Sequence, residues 1–232
     1  MCIRDSHSVA GAVAPADSWP ALNSRSGGRP KYIARSAAAD VTITYLTDSG
    51  QSVIRSKSVP ANSRLTINIE AEGSTVLANA AVATRVLSTI PVVVERAQYW
   101  PNAPSQWYEA HNAFGVTAAG TRWGLSEGQT GRFEAANTYL LLANNTNSSA
   151  TVTVDFIREV DVPVTKTFTV PANTRFNVAV GPNTQVPELS GERFGAVVTS
   201  TAPIVVERAV YWNANGEFWS AGTNATATAL LP

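Results

Sequence analysis

This sequence predicts an all-β fold of two tandem β-sandwich domains, and three observations carry the prediction. The first is a duplication. Pro203-Ile204-Val205-Val206-Glu207-Arg208-Ala209-Val210-Tyr211-Trp212 repeats Pro91-Val92-Val93-Val94-Glu95-Arg96-Ala97-Gln98-Tyr99-Trp100 at a distance of 112 residues, and Pro171-Ala172-Asn173-Thr174-Arg175 repeats Pro60-Ala61-Asn62-Ser63-Arg64 at 111. Two landmarks holding one register over so long a span mean two copies of one folding unit. The second is a period of two, with short apolar/polar alternations punctuated by turn residues every 8 to 12 residues or so. The third is that no long helical period appears anywhere. Repeats of roughly 110 residues built from such strands have immunoglobulin-like size.

Taken in order, residues 1–31 are set apart from the fold. From His7 to about Lys31 the chain is rich in Gly, Pro, Ser and Ala without periodicity, which reads as linker, disordered or out-of-frame sequence. The first domain is expected over 32–120. Val41, Ile43 and Tyr45 alternate on one strand face, Asp48-Ser49-Gly50 supplies a turn, and 52–59 returns as a hairpin. Leu65, Ile67 and Ile69 alternate with polar residues over 64–70, predicting a half-buried strand. Strands are also expected over 79–87, in the duplicated segment from Pro91, and over 107–116. The proline heading each copy of that segment marks a strand entrance, where its missing N–H does no harm.

The second domain, 121–232, repeats the order with strands at 151–158, 164–170, 175–180, 193–199 and 204–212, followed by 217–221 and 225–231. It opens differently. Thr121-Arg122-Trp123-Gly124-Leu125 is a glycine-bearing connector, and Trp123 is expected to wedge the two domains at a fixed angle. Tyr139, Leu140, Leu141 and Leu142 then form a strand apolar on both faces. The first domain has only Tyr32-Ile33-Ala34-Arg35 in that place, so it is predicted to lack an opening strand. A sheet with a central position unfilled exposes backbone donors and acceptors beside apolar core, so something must cover it. The edges meeting that cover are expected around Val41, Ile43 and Tyr45 and around Tyr139, Leu140, Leu141 and Leu142.

Composition excludes several functions. Seventeen basic and seventeen acidic residues cancel, and no basic stripe exists, which argues against nucleic-acid binding. No apolar run approaches the roughly 18 residues of a membrane span. Cys2 is the only cysteine, so neither a disulfide framework nor a cysteine-rich metal site is expected. No cofactor is predicted.

Candidate sites are few. Glu95-Arg96 and Glu207-Arg208 are the conspicuous charges, but strand neighbours point to opposite faces, and no second carboxylate recurs to form an acid/base pair. Each is expected to have its own structural partner. His111 has no cysteine, second histidine or Gly-x-Ser-x-Gly elbow to work with, and its counterpart one period on is Gly222, so it reads as a hydrogen-bonded loop histidine. Trp100, Trp107 and Tyr108, with Trp212 and Trp219, offer an aromatic surface that either packs between domains or stacks on sugars. Asn144, Asn147 and Asn224 match the N-x-(S/T) pattern, with turn formation the simpler use.

Two resemblances stand beside this reading. Met1-Cys2-Ile3-Arg4-Asp5-Ser6 resembles a translated sequencing adapter. The strand Tyr139-Leu140-Leu141-Leu142-Ala143-Asn144, the two Val-Pro-Ala-Asn-(Ser/Thr)-Arg turns, the Glu-Arg-Ala segments and Thr121-Arg122-Trp123-Gly124-Leu125 together resemble a tandem repeat of large secreted or cell-surface bacterial proteins. That resemblance covers about 38–232. It implies an extracellular β-sandwich array and no catalytic residues. The expected function is therefore a non-enzymatic structural module of a surface fibre or stalk, self-associating head to tail by β-strand addition. The alternatives are a carbohydrate- or surface-binding module, and spacer domains of a larger secreted enzyme.

Overall fold

The computed structural model describes residues 8–13, 37–69, 72–77, 80–103, 106–131, 135–214 and 216–230. It is all-β. The first half contains β1 (Ser8–Val13), β2 (Ala39–Thr47), β3 (Ser52–Val59), β4 (Val82–Ser88), β5 (Glu95–Ala103) and β6 (Gln106–Phe114). The second contains β7 (Gly120–Gln129), β8 (Asn137–Asn144), β9 (Ala150–Arg158), β10 (Val164–Val170), β11 (Thr174–Val180), β12 (Arg193–Ala214), β13 (Glu217–Thr226) and β14 (Thr228–Ala229). Among the described residues there is no α-helix, and no helix is long and apolar enough to cross a membrane.

The repeat is visible residue by residue. In β2, Ala39, Val41, Ile43 and Tyr45 are buried, with Asp40, Thr42 and Thr44 exposed or partly exposed between them, and in β9 Ala150, Val152, Val154 and Phe156 are buried in the same phase. Period two puts these side chains on one face, and burying that face fixes the register, because a one-residue slip would expose all of it. The Pro-Ala-Asn turns also match. Asn62 and Asn173 both sit in the left-handed region at φ 52°, which asparagine tolerates better than most residues. Ser63 Oγ donates to the Pro60 carbonyl at 2.7 Å, and Thr174 Oγ1 donates to the Pro171 carbonyl at 2.8 Å. The motif is thus a turn device.

In the second half two layers close over one core. One runs β10-β9-β12-β7-β14, and the other joins β11, β8, the far part of β12 and β13. The strand β12 serves both: 193–200 pairs with β7 and β9, whereas 205–211 pairs with β8. The two separate strands expected here are therefore one 22-residue strand that changes layer, with a register shift between Thr199 and Ile204 where Pro203 sits. Leu140, Leu142, Val152, Val154, Phe156, Val198 and Val206 meet inside. The connector tryptophan joins them. Trp123 is 3% exposed and its indole N–H lies 3.0 Å from the Gly120 carbonyl and 3.1 Å from that of Ile204. It is a core residue of the second half, which corrects its expected role as a wedge between units.

Asn144 closes the end of β8. Its side chain is fully buried, and Nδ2 donates to the carbonyls of Ser148, Val170 and Pro171 at 2.8, 3.1 and 3.0 Å while Oδ1 accepts from Thr146 N at 3.0 Å. An amide so engaged is no glycan acceptor in the folded chain. Asn144→Ala leaves several buried carbonyls without a donor, and a loss of about 2–4 kcal/mol in urea denaturation is expected.

Tyr32-Ile33-Ala34-Arg35, the place where an opening strand was expected to be lacking, lie outside the described residues, and among those described the first half forms two separate sheets. Its larger sheet runs β1-β4-β2-β3, and β5-β6 form a separate two-stranded ribbon. Four expectations are corrected here. Ser8–Val13, placed in the linker, forms β1 on the free side of β4. Residues 64–68 form no strand, although their copy β11 pairs along β8; a period of two supplies a face, and a strand also needs a neighbour. Val41, Ile43 and Tyr45 lie on β2, which is flanked by β3 and β4, so they face the core and line no edge. Tyr139, Leu140, Leu141 and Leu142 lie on β8, flanked by β11 and β12, and are likewise internal.

Candidate functional site

The position that β8 fills in the second half is the place where the halves differ most. There β8 bonds to β11 on one side and β12 on the other, so that β11, β8, β12 and β13 make one sheet. In the first half the copies of β12 and β13 are β5 and β6, and the copy of β11 is 64–69. Among the described residues no strand stands between them, and β5 pairs with β6 alone. Ile67, Ile69, Val92 and Val94 still pack on the first core of Val41, Ile43, Tyr45, Val82 and Val86. Among the described residues, the apolar floor of that place is therefore present without the two ladders.

A second difference lies in the other layer. β7 pairs antiparallel with β12, whereas β1, beside the equivalent strand β4, runs parallel to it, with a register shift between Val9 and Ala12. Parallel pairing is slightly less stable per residue. A six-residue segment covers in reverse the place that ten-residue β7 covers in the second half.

The β5-β6 ribbon lies instead against the outer face of the second half's sheet. Arg96, 5% exposed, reaches Glu207, also 5% exposed, with Nη2 2.5 Å from Oε1 and Nη1 3.3 Å from Oε2. Asn224 Nδ2 donates to the same Oε1 at 2.5 Å. This is a fork-on-fork pair taken out of water. The first half repeats part of the arrangement, since Asn112, the copy of Asn224, donates to Glu95. Arg208, the copy of Arg96, has Nη1 3.5 Å from Glu127 Oε2; burial pushes its pKa down and the Glu127 carboxylate opposes that. Each charge of the duplicated Glu-Arg thus has a structural partner, and the two members do point to opposite faces.

Around this pair the two halves are in direct contact. Leu46 and Ala83 of the first half meet Ala143 and Val205 of the second, and Arg175 Nη1 donates to the Val82 carbonyl at 3.1 Å. Arg96, Gln98, His111, Leu141, Arg175, Ala209 and Tyr211 line a narrow crevice that leaves no water-sized space. Tyr211 stacks on Trp219 at 5.0 Å, and Tyr139 meets the Trp219 ring edge-on at 5.8 Å. Trp219 adopts a left-handed φ of 51°, rare for a bulky residue, and its N–H is held at 3.0 Å by Asn213 Oδ1. Gly222, opposite Tyr211, leaves room for the ring, since an added Cβ would stand 2.8 Å from Tyr211 Cδ1.

The aromatic set divides accordingly. Trp219 is half-buried and packs on other rings at the joint, and Trp212 is half-buried near the end of β12. Trp100, Trp107 and Tyr108 lie on β5 and β6, with side chains outside the described part of the structure. His111 is on a strand rather than a loop. It sits opposite Gln98 just as Thr223 sits opposite Val210, so its structural copy is Thr223 and not Gly222. The signal was in the sequence, because the Glu-Arg segments are offset by 112 and the turns by 111. Among the described residues no group of three His, Cys, Asp or Glu could hold a metal ion.

Burial, and then the nearby Arg96 guanidinium, lowers the His111 pKa to about 4. The unfolded chain therefore takes up this proton near pH 6.5, before the folded one does. Stability is expected to fall as the pH drops from about 6.5 to 4, by at most about 1.4 kcal/mol per pH unit. His111→Gln should flatten that slope in denaturation curves measured at pH 4.5, 5.5 and 7; an unchanged slope would assign the effect to other groups.

No protein-family model matches the chain, and no curated protein matches it. Solved structures give low scores. A Thermotoga maritima protein, 1070, is 11% identical with a TM-score of 0.43, over 48% of this chain and 96% of that one. The Anabaena sensory rhodopsin transducer is 26% identical with a TM-score of 0.34, over 39% and 96%. A chain of broad bean stain virus is 12% identical with a TM-score of 0.22, over 92% and 98%. At these scores the likenesses carry no argument about fold or function.

Proposed function

We propose that this chain is a structural repeat module of an extracellular fibre or stalk, two immunoglobulin-like sandwiches in tandem whose first member is completed by a strand from a neighbouring unit. The observation that carries the reading is the β8 position. The second half contains that strand and forms one sheet, while among the described residues of the first half β5 and β6 form a separate ribbon and 64–69 joins no ladder. Strand addition satisfies main-chain donors and acceptors, with alternate side chains giving specificity.

The joint supports a head-to-tail array. The second half docks the first through Arg175 and Glu207, a contact between unlike faces of two copies of one repeat. A heterologous contact of this kind need not close on itself. The motif resemblance to secreted bacterial tandem repeats favours the same reading. Sedimentation velocity over a hundredfold concentration range is expected to show mass-dependent association, with end-to-end chains in electron micrographs. A single monomeric boundary at every concentration would sink homomeric assembly.

A further inference from the structure

We infer that the turn end of the second half, built on Ile157 of β9 and Gly195 of β12, is a docking surface for the first half of another copy of this chain. This rests on the head-to-tail reading above and gives it a contact that needs no exchanged strand.

The internal joint shows what such a surface does. Leu46 at the end of β2 pairs with Ala83 of β4, and both are buried where they meet Ala143 and Val205 of the second half. One repeat on, Ile157 pairs with Gly195 in the same register. The turns that follow agree closely. Thr47 Oγ1 donates to the Gln51 carbonyl at 2.8 Å and Arg158 Nη2 to that of Val162 at 2.7 Å, while Gly50 and Asp161 both take left-handed φ, 81° and 72°. The surroundings differ. Leu46 is 2% exposed, whereas Ile157 is 48% exposed, with Val160 at 70% and Val162 at 75% beside it. Of the six exposed large apolar side chains among the described residues, three gather at this one turn. Turns draw mainly on small polar residues, glycine and proline, and the first repeat has Ser49 and Gln51 in the places of the two valines.

The receiving face is repeated as well. In the joint Arg175 Nε donates to Asn177 Oδ1 at 2.8 Å, which steadies the guanidinium whose Nη1 reaches the Val82 carbonyl at 3.1 Å. Arg64 Nε donates to Thr66 Oγ1, also two residues on, at 3.1 Å, the same device in the first half. Val93, the copy of Val205, is partly exposed, while Val92 and Val94 on either side of it pack on the first core. A second copy thus presents Val93 to Ile157 and the Arg64 guanidinium to the carbonyl of Phe194, which stands opposite Arg158 as Val82 stands opposite Thr47. The two surfaces are unlike, so the contact propagates along an array instead of closing on a pair.

The test is sedimentation velocity of the full chain with Ile157→Asp on the turn or Arg64→Glu on the receiving face, neither residue belonging to a core cluster. Each variant alone is expected to associate at least about tenfold more weakly than wild type, one by placing a charge in an apolar contact and the other by reversing the donor. Ile54→Asp, at an exposed position of β3, should change association by less than about threefold. An equimolar mixture of the two variants should form one-to-one dimers and nothing longer, because each chain supplies the surface the other has lost, and that recovery shows both to be folded. Association unchanged by either substitution overturns this contact and leaves assembly to another surface. A wild-type chain monomeric at every concentration overturns the contact and homomeric assembly together. Self-association kept by the Arg64→Glu chain and lost by the Ile157→Asp chain would mean a turn-to-turn pair, which overturns the head-to-tail contact, as does a mixture without dimers.

Discussion

Replacing Glu207 by alanine is expected to weaken the joint between the halves by about 3–5 kcal/mol, because it removes the carboxylate facing the buried Arg96 guanidinium. The attraction within such a pair is offset by desolvation when both members are present, so the cost appears chiefly when one is taken away. The double substitution Arg96→Met with Glu207→Leu should therefore recover most of the loss. Buried charges are poorly screened, so added salt should change the wild-type value little. Urea denaturation followed by proteolysis of the exposed 117–119 connection reads both effects. A double variant as weak as the single one would show that the joint depends on these charges for more than their mutual neutralisation.

Phe156→Ala is expected to cost the second half about 3–5 kcal/mol, the range for emptying a fully buried aromatic site. Phe156 is at 0% exposure and meets Phe194 edge-on at 5.4 Å, so truncation also removes a ring contact. Hydrogen exchange should show protection lost across β8, β9 and β12, which share this core, before the β5-β6 ribbon responds. Its copy in the first half is Tyr45, 1% exposed, whose hydroxyl pKa is pushed up to about 12 by burial and then by Glu72. Tyr45→Phe reproduces the residue found in the other repeat and should change stability by less than about 1 kcal/mol, since little shape is altered. Loss of exchange protection confined to β9 would argue against one shared core.

The alternations Val41-Ile43-Tyr45 and Val152-Val154-Phe156 were legible because burial of one strand face writes itself into every second residue. The Pro-Ala-Asn turns were legible for a local reason as well, with an asparagine at positive φ and a hydroxyl returning to the proline carbonyl. Pairing partners were not. Leu65, Ile67 and Ile69 alternate as well as any strand in the chain, yet 64–68 is not one, since a ladder needs a second backbone. Tyr139 to Leu142 look suited to an open edge, but residues apolar on both faces belong in the middle of a sheet covered on both sides, which is where β8 lies.

The joint was the least legible part. Arg96 and Glu207 are 111 residues apart, and no local pattern says that the arginine of one repeat will find the glutamate of the other. Trp123 looked like a connector residue, and only the bonds from its indole to Gly120 and Ile204 show it to be core.

By itself the sequence determined the all-β character, the duplication and the turn devices, because each is written in local order or in a repeat of it. Tertiary structure decided which strands became neighbours, how β12 crosses between layers, where β1 attaches and which charges meet in the joint. Those outcomes depend on competition among distant segments for the same backbone partners and the same apolar surface, and that competition is settled only when the chain is closed on itself.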